Sequence, residues 1–357
     1  PPPPPPPPTP THILFRRQRQ MCIRDSRYLG LLRTGGRPPG STTGRPAVKA
    51  QVVEMVRHPV RVELPKRTAR AVLGLEDKTV IPILRDPVRV SDDYEALFYF
   101  PGCGSERLFS DVGLATMAMI CEMGDQVVLP PGYLCCGYPQ AAAGREQQGR
   151  RITTENRVLF HRVANTLNYM DIRTVLVSCG TCMDQLLTYE FDRIFPGCRL
   201  LDIHEYLLEK GVSMSGGNGA AYLYHDPCHS PMKQHSPLAV TSALMGGGVR
   251  LSDRCCGEAG TFGVSRPDIA NQLRFRKTEE IRDGIRQLTG ADRAVDGNVR
   301  MLTSCPACVQ GLNRYRESSS LEVSYMVEEL VRDRLGPDWR GDFLNRVSKG
   351  GIERVLL

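Results

Sequence analysis

Short apolar runs alternate with amphipathic stretches along residues 96–335, and the same order occurs twice. In the first half, the pattern predicts strands at 96–100, 127–129 and 174–177, with helices over 110–122, about 144–170 and just beyond residue 182. In the second half, it predicts strands at 222–224, 249–251 and 300–302, with helices over about 236–246 and 267–288. This alternation is typical of an α/β fold with parallel strands.

Cysteines follow every one of these predicted strands. One Cys follows the first strand of each half, Cys-Cys-Gly follows the second, and Cys-x-x-Cys follows the third; matching cysteines are 125, 120 and 126 residues apart. We therefore predict a tandem pseudo-twofold repeat of β-α-β-α-β units. Because the carboxyl ends of parallel strands meet at one edge of a sheet, five thiols should converge in each repeat. These are Cys103, Cys135, Cys136, Cys179 and Cys182 in the first repeat, and Cys228, Cys255, Cys256, Cys305 and Cys308 in the second.

Three chemistries use thiols at such spacing. Structural disulfides fit poorly, because the Cα atoms of adjacent cysteines are ~3.8 Å apart whereas ordinary disulfides need roughly 4.4–6.8 Å. Zinc is satisfied by four ligands, which leaves the fifth thiol unexplained, although zinc in one of the two sites stays an alternative. A cluster of several irons spreads its ligation over a wider thiolate cage, and two such sites would imply electron transfer.

Composition and charge exclude several classes of protein. The chain has 357 residues, of which 41% are hydrophobic, so it is long enough for about two packed domains. The formal net charge is +7, but nine basic residues and one acidic residue lie in residues 1–50, so the rest is close to neutral. A nucleic-acid partner is therefore not expected. No apolar run approaches the ~20 residues of a membrane span, and we expect a cytoplasmic protein, with peripheral contact at the inner face of the membrane left open.

The ends of the chain differ from its middle. Residues 1–50 contain 12 of the 27 prolines, and the string Gln20–Ser26 resembles translated sequencing adapter, so we expect a disordered or artefactual tail in which Cys22 has no role. The expected organisation of the remainder is an extended connector over 51–95, a first domain over 96–212, a second domain over 220–335 and a C-terminal extension over 336–357.

The cysteine order resembles a known domain pair. The order Cys, Cys-Cys-Gly and Cys-x-x-Cys, present twice, resembles the cysteine-rich CCG domain pair. This pair occurs in the B subunit of heterodisulfide reductase and in the iron–sulfur subunits of glycolate oxidase, lactate-utilisation and glycerol-3-phosphate dehydrogenase systems. The match covers about residues 95–335, and the strings Phe100–Cys103, His225–His229 and Cys255–Phe262 strengthen it. In heterodisulfide reductase the five cysteines bind a noncubane 4Fe–4S cluster. The resemblance implies that the two five-cysteine sets named above are ligands of 4Fe–4S clusters.

The resemblance also implies a function. It points to an electron-transfer module that takes electrons from FAD-linked oxidation of a 2-hydroxy acid, lactate or glycolate, and passes them to a quinone or another acceptor at or near the membrane. FAD would lie on a flavin-containing oxidase domain or subunit, because the chain has no flavin site of its own. The alternatives are thiol–disulfide reduction at a noncubane cluster, as in heterodisulfide reductase, and a zinc-stabilised assembly module.

Two features depart from the commonest family pattern. First, the gaps between the cysteine groups are unusual, with 42 residues between Cys136 and Cys179 and 48 between Cys256 and Cys305. Second, the sequence has none of the ferredoxin motifs that precede the domain pair in many relatives. We expect the C-terminal module of a larger FAD-linked 2-hydroxyacid oxidoreductase.

Other residues carry weaker signals. We expect Cys121 to be a core thiol and Cys198 to have no role. The histidines at 225 and 229 are expected to cap a turn, with proton coupling to a cluster or replacement of a thiolate as the alternatives. The glycines after the cysteine pairs should allow close backbone approach to a cluster. These glycines and two polar candidates are Gly137, Gly257, Gly260, Gly263, Glu258 and Arg145.

Overall fold

The computed structural model describes residues 65–89, 93–214, 219–257 and 267–357. Within these residues, ten strands are formed: β1 (Val80–Leu84), β2 (Ala96–Phe100), β3 (Gln126–Val128), β4 (Ile172–Val177), β5 (Arg199–Asp202), β6 (Ala221–His225), β7 (Val249–Leu251), β8 (Val299–Thr303), β9 (Glu322–Tyr325) and β10 (Ile352–Leu356).

Twelve α-helices connect and cover these strands in the described segments. They are α1 (Ala69–Leu73), α2 (Ser110–Glu122), α3 (Tyr138–Ala142), α4 (Glu146–Thr166), α5 (Gly180–Leu186), α6 (Ile203–Glu209), α7 (Pro237–Met245), α8 (Pro267–Thr289), α9 (Pro306–Asn313), α10 (Arg316–Ser319), α11 (Met326–Leu335) and α12 (Trp339–Ser348). A π-helical turn covers Gly104–Leu108, and 3-10 turns cover Leu187–Tyr189 and Phe191–Arg193.

The strands form two sheets that share one arrangement. The first has the order β10-β1-β3-β2-β4-β5, and the second has the order β7-β6-β8-β9. All pairings among β3, β2, β4 and β5 are parallel, as are all pairings in the second sheet. The predicted α/β class with parallel strands is confirmed, and the identical strand order is compatible with a repeat.

Each half has four parallel strands where the sequence pattern predicted three. The additional strands are β5 and β9, whose sequences Arg-Leu-Leu-Asp and Glu-Val-Ser-Tyr begin exposed and become buried only at their carboxyl ends. Neither contains the continuous apolar run that marks a strand buried on both faces.

The first sheet is completed by segments from both ends of the described chain. β1 pairs antiparallel with β3 and with β10, so residues 80–84 of the expected connector are an internal strand of the sheet. β10 belongs to the expected C-terminal extension, and its return to the first sheet ties residues 352–356 to the opposite end of the chain. Pro82 has no backbone N–H to donate, and because a proline is unusual inside a strand the segment resembled a connector.

Apolar residues pack in three layers around the two sheets. In β2, Leu97 and Tyr99 face a central core that also contains Tyr222 and Tyr224 of β6, while Phe98 faces an outer core beneath α4. Side chains of successive strand residues point to opposite faces, so both sheets contribute one face to the central core. No helix within the described segments is long and apolar enough to cross a membrane.

Candidate metal centres

The strand ends place the predicted cysteines at one edge of each sheet. In the first half, cysteines follow β2, β3 and β4, and in the second half they follow β6, β7 and β8. Since these strands are parallel within each sheet, their carboxyl ends lie together. None of the twelve described cysteines forms a disulfide.

The five thiols of the first repeat, which we call the first site, form a continuous series of contacts. Cys103 is hydrogen-bonded to Cys135, and Cys135 is hydrogen-bonded to its neighbour Cys136. Cys136 is hydrogen-bonded to Cys182, which in turn contacts Cys179. The predicted convergence of these five side chains is therefore present.

The five thiols of the second repeat, which we call the second site, make contacts in the same order. Cys228 is hydrogen-bonded to Cys255, which contacts its neighbour Cys256. The Sγ atoms of Cys256 and Cys308 are 3.7 Å apart, and Cys308 also contacts Cys305. Two sets of cysteines, separated in sequence by about 120 residues, thus have the same local geometry.

Glycine permits the backbone to approach the thiols closely. Gly102 has a φ of +61°, and a Cβ at this position would lie 2.6 Å from Cys182 Sγ. Gly137 and Gly257 also have positive φ, and their N–H groups donate to Cys135 Sγ at 3.5 Å and Cys255 Sγ at 3.4 Å. N–H groups aimed at sulfur are the contacts that tune metal–thiolate sites.

One thiol of each Cys-x-x-Cys pair begins a helix. Cys179 and Cys305 precede α5 and α9 with extended backbone conformations. The hydrogen bond with Cys182, helped by the N–H groups of Cys182 and Thr181, lowers the pKa of Cys179 to about 7 against the opposing effect of burial. At the first site, Cys179 is therefore poised to form a thiolate, the form that binds metals.

The thiols cannot all ionise without a cation among them. Hydrogen bonds from Cys103 and Cys136 lower the pKa of Cys135, while that thiolate and burial raise the pKa values of Cys103 and Cys136. Negative charge on one thiolate therefore opposes ionisation of its neighbours. A metal with affinity for thiolate would compensate the charge of several thiolates at once, and the donor set fits such a metal.

Tyrosines brace both sites in corresponding positions. Tyr189 donates to the carbonyl of Cys136 at 2.9 Å, and Tyr315 donates to the carbonyl of Cys256 at 3.0 Å. Each tyrosine lies seven residues beyond the second cysteine of its Cys-x-x-Cys pair. Sequence analysis missed these residues, although the equal spacing was a usable signal.

Residues of the second repeat reach the first site. Tyr325, fully buried at the end of β9, donates to the Ser178 carbonyl at 2.8 Å, and burial raises its pKa with a contribution from Cys179 and Cys305. His229 Nδ1 lies 2.5 Å from Asp184 Oδ2. The backbone of His229 also lies close to Gly180, where a Cβ would be only 1.6 Å from the His229 carbonyl oxygen. The two sites therefore share a packed boundary.

Of the remaining candidates, His225 adjoins the second site, some lie apart from the thiol clusters, and others lie outside the described residues. Cys121 is a buried core thiol, as predicted, and burial raises its pKa. Cys198 is half-buried against the outer core, and Arg145 is exposed. His225 Nδ1 lies 3.1 Å from the Ser252 carbonyl in the loop after β7, so this nitrogen does not cap the turn that follows β6. Cys22, Glu258, Gly260 and Gly263 lie outside the described residues.

Comparison with protein families agrees with this geometry. The cysteine-rich domain model named CCG matches residues 97–187 and 222–313, which contain all ten clustered cysteines and make up just over half of the chain. The chain belongs to this cysteine-rich CCG family. A second model, described only as a domain of unknown function, matches residues 313–357.

Similar curated proteins are iron–sulfur proteins and oxidoreductase subunits. An uncharacterized iron–sulfur protein of Methanocaldococcus jannaschii is 26% identical over 269 residues, covering 70% of this chain and 49% of that protein. The B subunit of the CoM/CoB fumarate reductase of Methanothermobacter marburgensis is 28% identical over 192 residues, covering 52% and 37%. Lactate utilization protein A of an Exiguobacterium species is 23% identical over 220 residues, covering 56% and 86%. The chain spans half or less of the length of the first two relatives.

Proposed function

We propose that this CCG-family chain holds one iron–sulfur cluster at each site and carries electrons between them. The observation that supports the proposal is the identical contact order of five thiols at both sites. A bound cluster would supply one-electron redox chemistry. The ligands would be Cys103, Cys135, Cys136, Cys179 and Cys182 at the first site, and Cys228, Cys255, Cys256, Cys305 and Cys308 at the second.

The protein supplies the environment of each cluster. Buried Cys136 and Cys182 keep water from one side of the first site, and Cys256, Cys305 and Cys308 do the same at the second. The N–H groups of Gly137 and Gly257 stabilise negative charge on sulfur. Tyr325 is fully buried at the boundary between the sites, where its hydroxyl donates to the Ser178 carbonyl.

The electron donor and acceptor are proposed by analogy with the relatives. The similarity to a lactate-utilisation protein favours a flavin-containing domain or subunit that oxidises lactate, glycolate or another 2-hydroxy acid. FAD would reside on that partner, and a quinone or another acceptor near the membrane would receive the electrons. The clusters are proposed to be of the 4Fe–4S type, noncubane as in heterodisulfide reductase.

Anaerobic reconstitution with iron and sulfide tests the cluster proposal. The expected result is iron and acid-labile sulfide in equal amounts, together with a spin-resonance signal on reduction, and Cys121→Ser as a control should retain all of the iron. Bound zinc without sulfide would contradict the proposal and favour a zinc-stabilised assembly module.

Exposure of one ligand favours a second candidate function. Cys228 is exposed, whereas Cys103 at the corresponding place in the first site is half-buried. A disulfide substrate could therefore reach the second site, as heterodisulfide-type reduction would require. If reduced protein is oxidised rapidly by a disulfide and slowly by a soluble quinone, this second candidate replaces the electron-transfer proposal.

A further inference from the structure

A buried histidine lies beside the thiols of the second site. His225 ends β6, is fully buried, and has a ring nitrogen that lies, with the Sγ atoms of Cys256 and Cys308, in a group whose members are all within 4.8 Å of one another. Its Nε2 is buried without a hydrogen-bond partner among the described residues. A buried polar atom without a partner is costly, so the place of the His225 ring next to two soft ligands requires an explanation.

The neighbours of His225 determine which nitrogen carries the proton. Lys277 Nζ lies 3.0 Å from the Ser252 carbonyl, 2.7 Å from Ser252 Oγ and 2.7 Å from Glu280 Oε2, all closer than His225 Nδ1 at 3.3 Å. The three oxygens use all three protons of the ammonium group. His225 Nδ1, 3.1 Å from the Ser252 carbonyl, is therefore the nitrogen that donates. The lone pair then resides on Nε2.

Neutral imidazole is the form expected in this environment. His225 is fully buried and its Nδ1 lies 3.3 Å from the ammonium group of Lys277, so a second positive charge at this place would be unfavourable. An imidazole that donates through one nitrogen to a backbone carbonyl and presents the other is the usual arrangement of a metal-binding histidine.

The first site has no such donor at the corresponding position. Phe100 ends β2 as His225 ends β6, and each lies three residues before the first cysteine of its site. The ring of Phe100 packs edge-on against Phe160 in the outer core. A nitrogen donor at this place is thus specific to the second site.

We infer that His225 Nε2 is a nitrogen ligand of the cluster at the second site, which therefore has a mixed sulfur–nitrogen donor set, whereas the first site is ligated by sulfur alone. The inference rests on the proposed function, since it requires iron at the second site. Imidazole is a good ligand for iron, and a site in which it takes the place of one of the five candidate thiolates has a higher reduction potential than an all-thiolate site.

Histidine-specific ¹⁵N labelling of the reconstituted full-length chain tests the inference directly. Pulsed spin-resonance spectra of the second cluster, recorded in the Cys179→Ser background, should show a strong directly bonded nitrogen coupling that changes on labelling. A spectrum without this change, or with only the weak coupling of an N–H···S contact, would overturn the inference.

A matched pair of variants provides a second test. In His225→Asn, the amide nitrogen can keep the hydrogen bond to Ser252 while the Nε2 position is lost. The nitrogen coupling should disappear, and the potential of the second cluster should fall while that of the first is unchanged. His204→Asn is the control, because His204 is equally buried with an unpartnered Nε2 among the described residues but contacts Asp202 instead of the thiols.

The outcomes separate this inference from the proposed function. Iron at both sites with no histidine coupling would overturn only the role of His225. An absence of iron at the second site of the wild-type chain would overturn the proposed function as well. If His225→Asn does not fold, ¹⁵N labelling of the histidines in a chain that retains His225 still decides the question.

Discussion

The two sites share a thiol framework and differ in the side chains behind it. At the first site, the amide of Asn156 in α4 donates to the Cys135 carbonyl at 2.8 Å and to the Tyr189 hydroxyl at 2.9 Å. At the corresponding place in α8, the second site has the fully buried ammonium group of Lys277. The shared framework gives both sites the same set of thiol donors, whereas a cation behind only one of them makes their electrostatic environments unequal.

The cysteine ligands should have the largest effects, and these should be confined to one site. Cys179→Ser or Cys305→Ser replaces one thiolate of a chelating pair with a hydroxyl, which is a poor ligand for iron in such a site. Each variant should lose roughly half of the iron after reconstitution, because the other site is intact. Iron and sulfide analysis measures this loss, and Cys198→Ser should keep the full amount. Equal depletion in Cys198→Ser would show that the ligand assignment is wrong.

Gly102→Ala should weaken the first site alone. The added Cβ would lie 2.6 Å from Cys182 Sγ, and the positive φ of residue 102 costs an additional ~1–2 kcal/mol for an alanine. We expect partial loss of iron from the first site with an unchanged spin-resonance signal from the second. Gly104→Ala is the matched control, since a Cβ at residue 104 would have no atom within 4 Å and its φ is ordinary. Full iron content in Gly102→Ala would mean that the close approach to Cys182 is unimportant.

The polar residues behind the sites should differ in their contribution to stability. Lys277→Met leaves Glu280 and Ser252 without their cation, and the free energy of unfolding should fall by about 3 kcal/mol. This value is at the lower end of the range for a broken buried ion pair, because Glu280 is partly exposed. Asn156→Leu removes two neutral hydrogen bonds and should cost about 2 kcal/mol. Urea denaturation of the reduced, metal-free chain compares the two variants. A smaller loss for Lys277→Met than for Asn156→Leu would contradict the difference in buried charge.

Much of this arrangement could be predicted from the order of residues along the chain. Buried-strand runs such as Ala96–Phe100, followed at once by cysteine, place thiols at strand ends by topology alone, and the structure brings all ten of them together in their two sets. β5 and β9 were not predicted, because their burial depends on tertiary packing instead of an apolar run.

The surroundings of the sites were less predictable than their cysteines. Lys277 and Asn156 lie on long amphipathic helices where polar residues usually face solvent, so nothing in the periodicity marks them as buried. Their burial results from the packing of each helix against the loop that carries the cysteine pair. Turn capping was the simpler expectation for His225, because its contact with Ser252 depends on tertiary packing. This contact joins the end of β6 to the loop after β7, 27 residues further along the chain.

A redox titration of the reconstituted chain, followed by spin resonance, tests most directly whether two unequal clusters are present. Two reduction steps are expected, with the second site at the higher potential because of Lys277 and His225. Cys179→Ser should retain only the higher step, and Cys305→Ser only the lower. A single step in the wild-type chain, or loss of both steps from either variant, would contradict the existence of two independent centres.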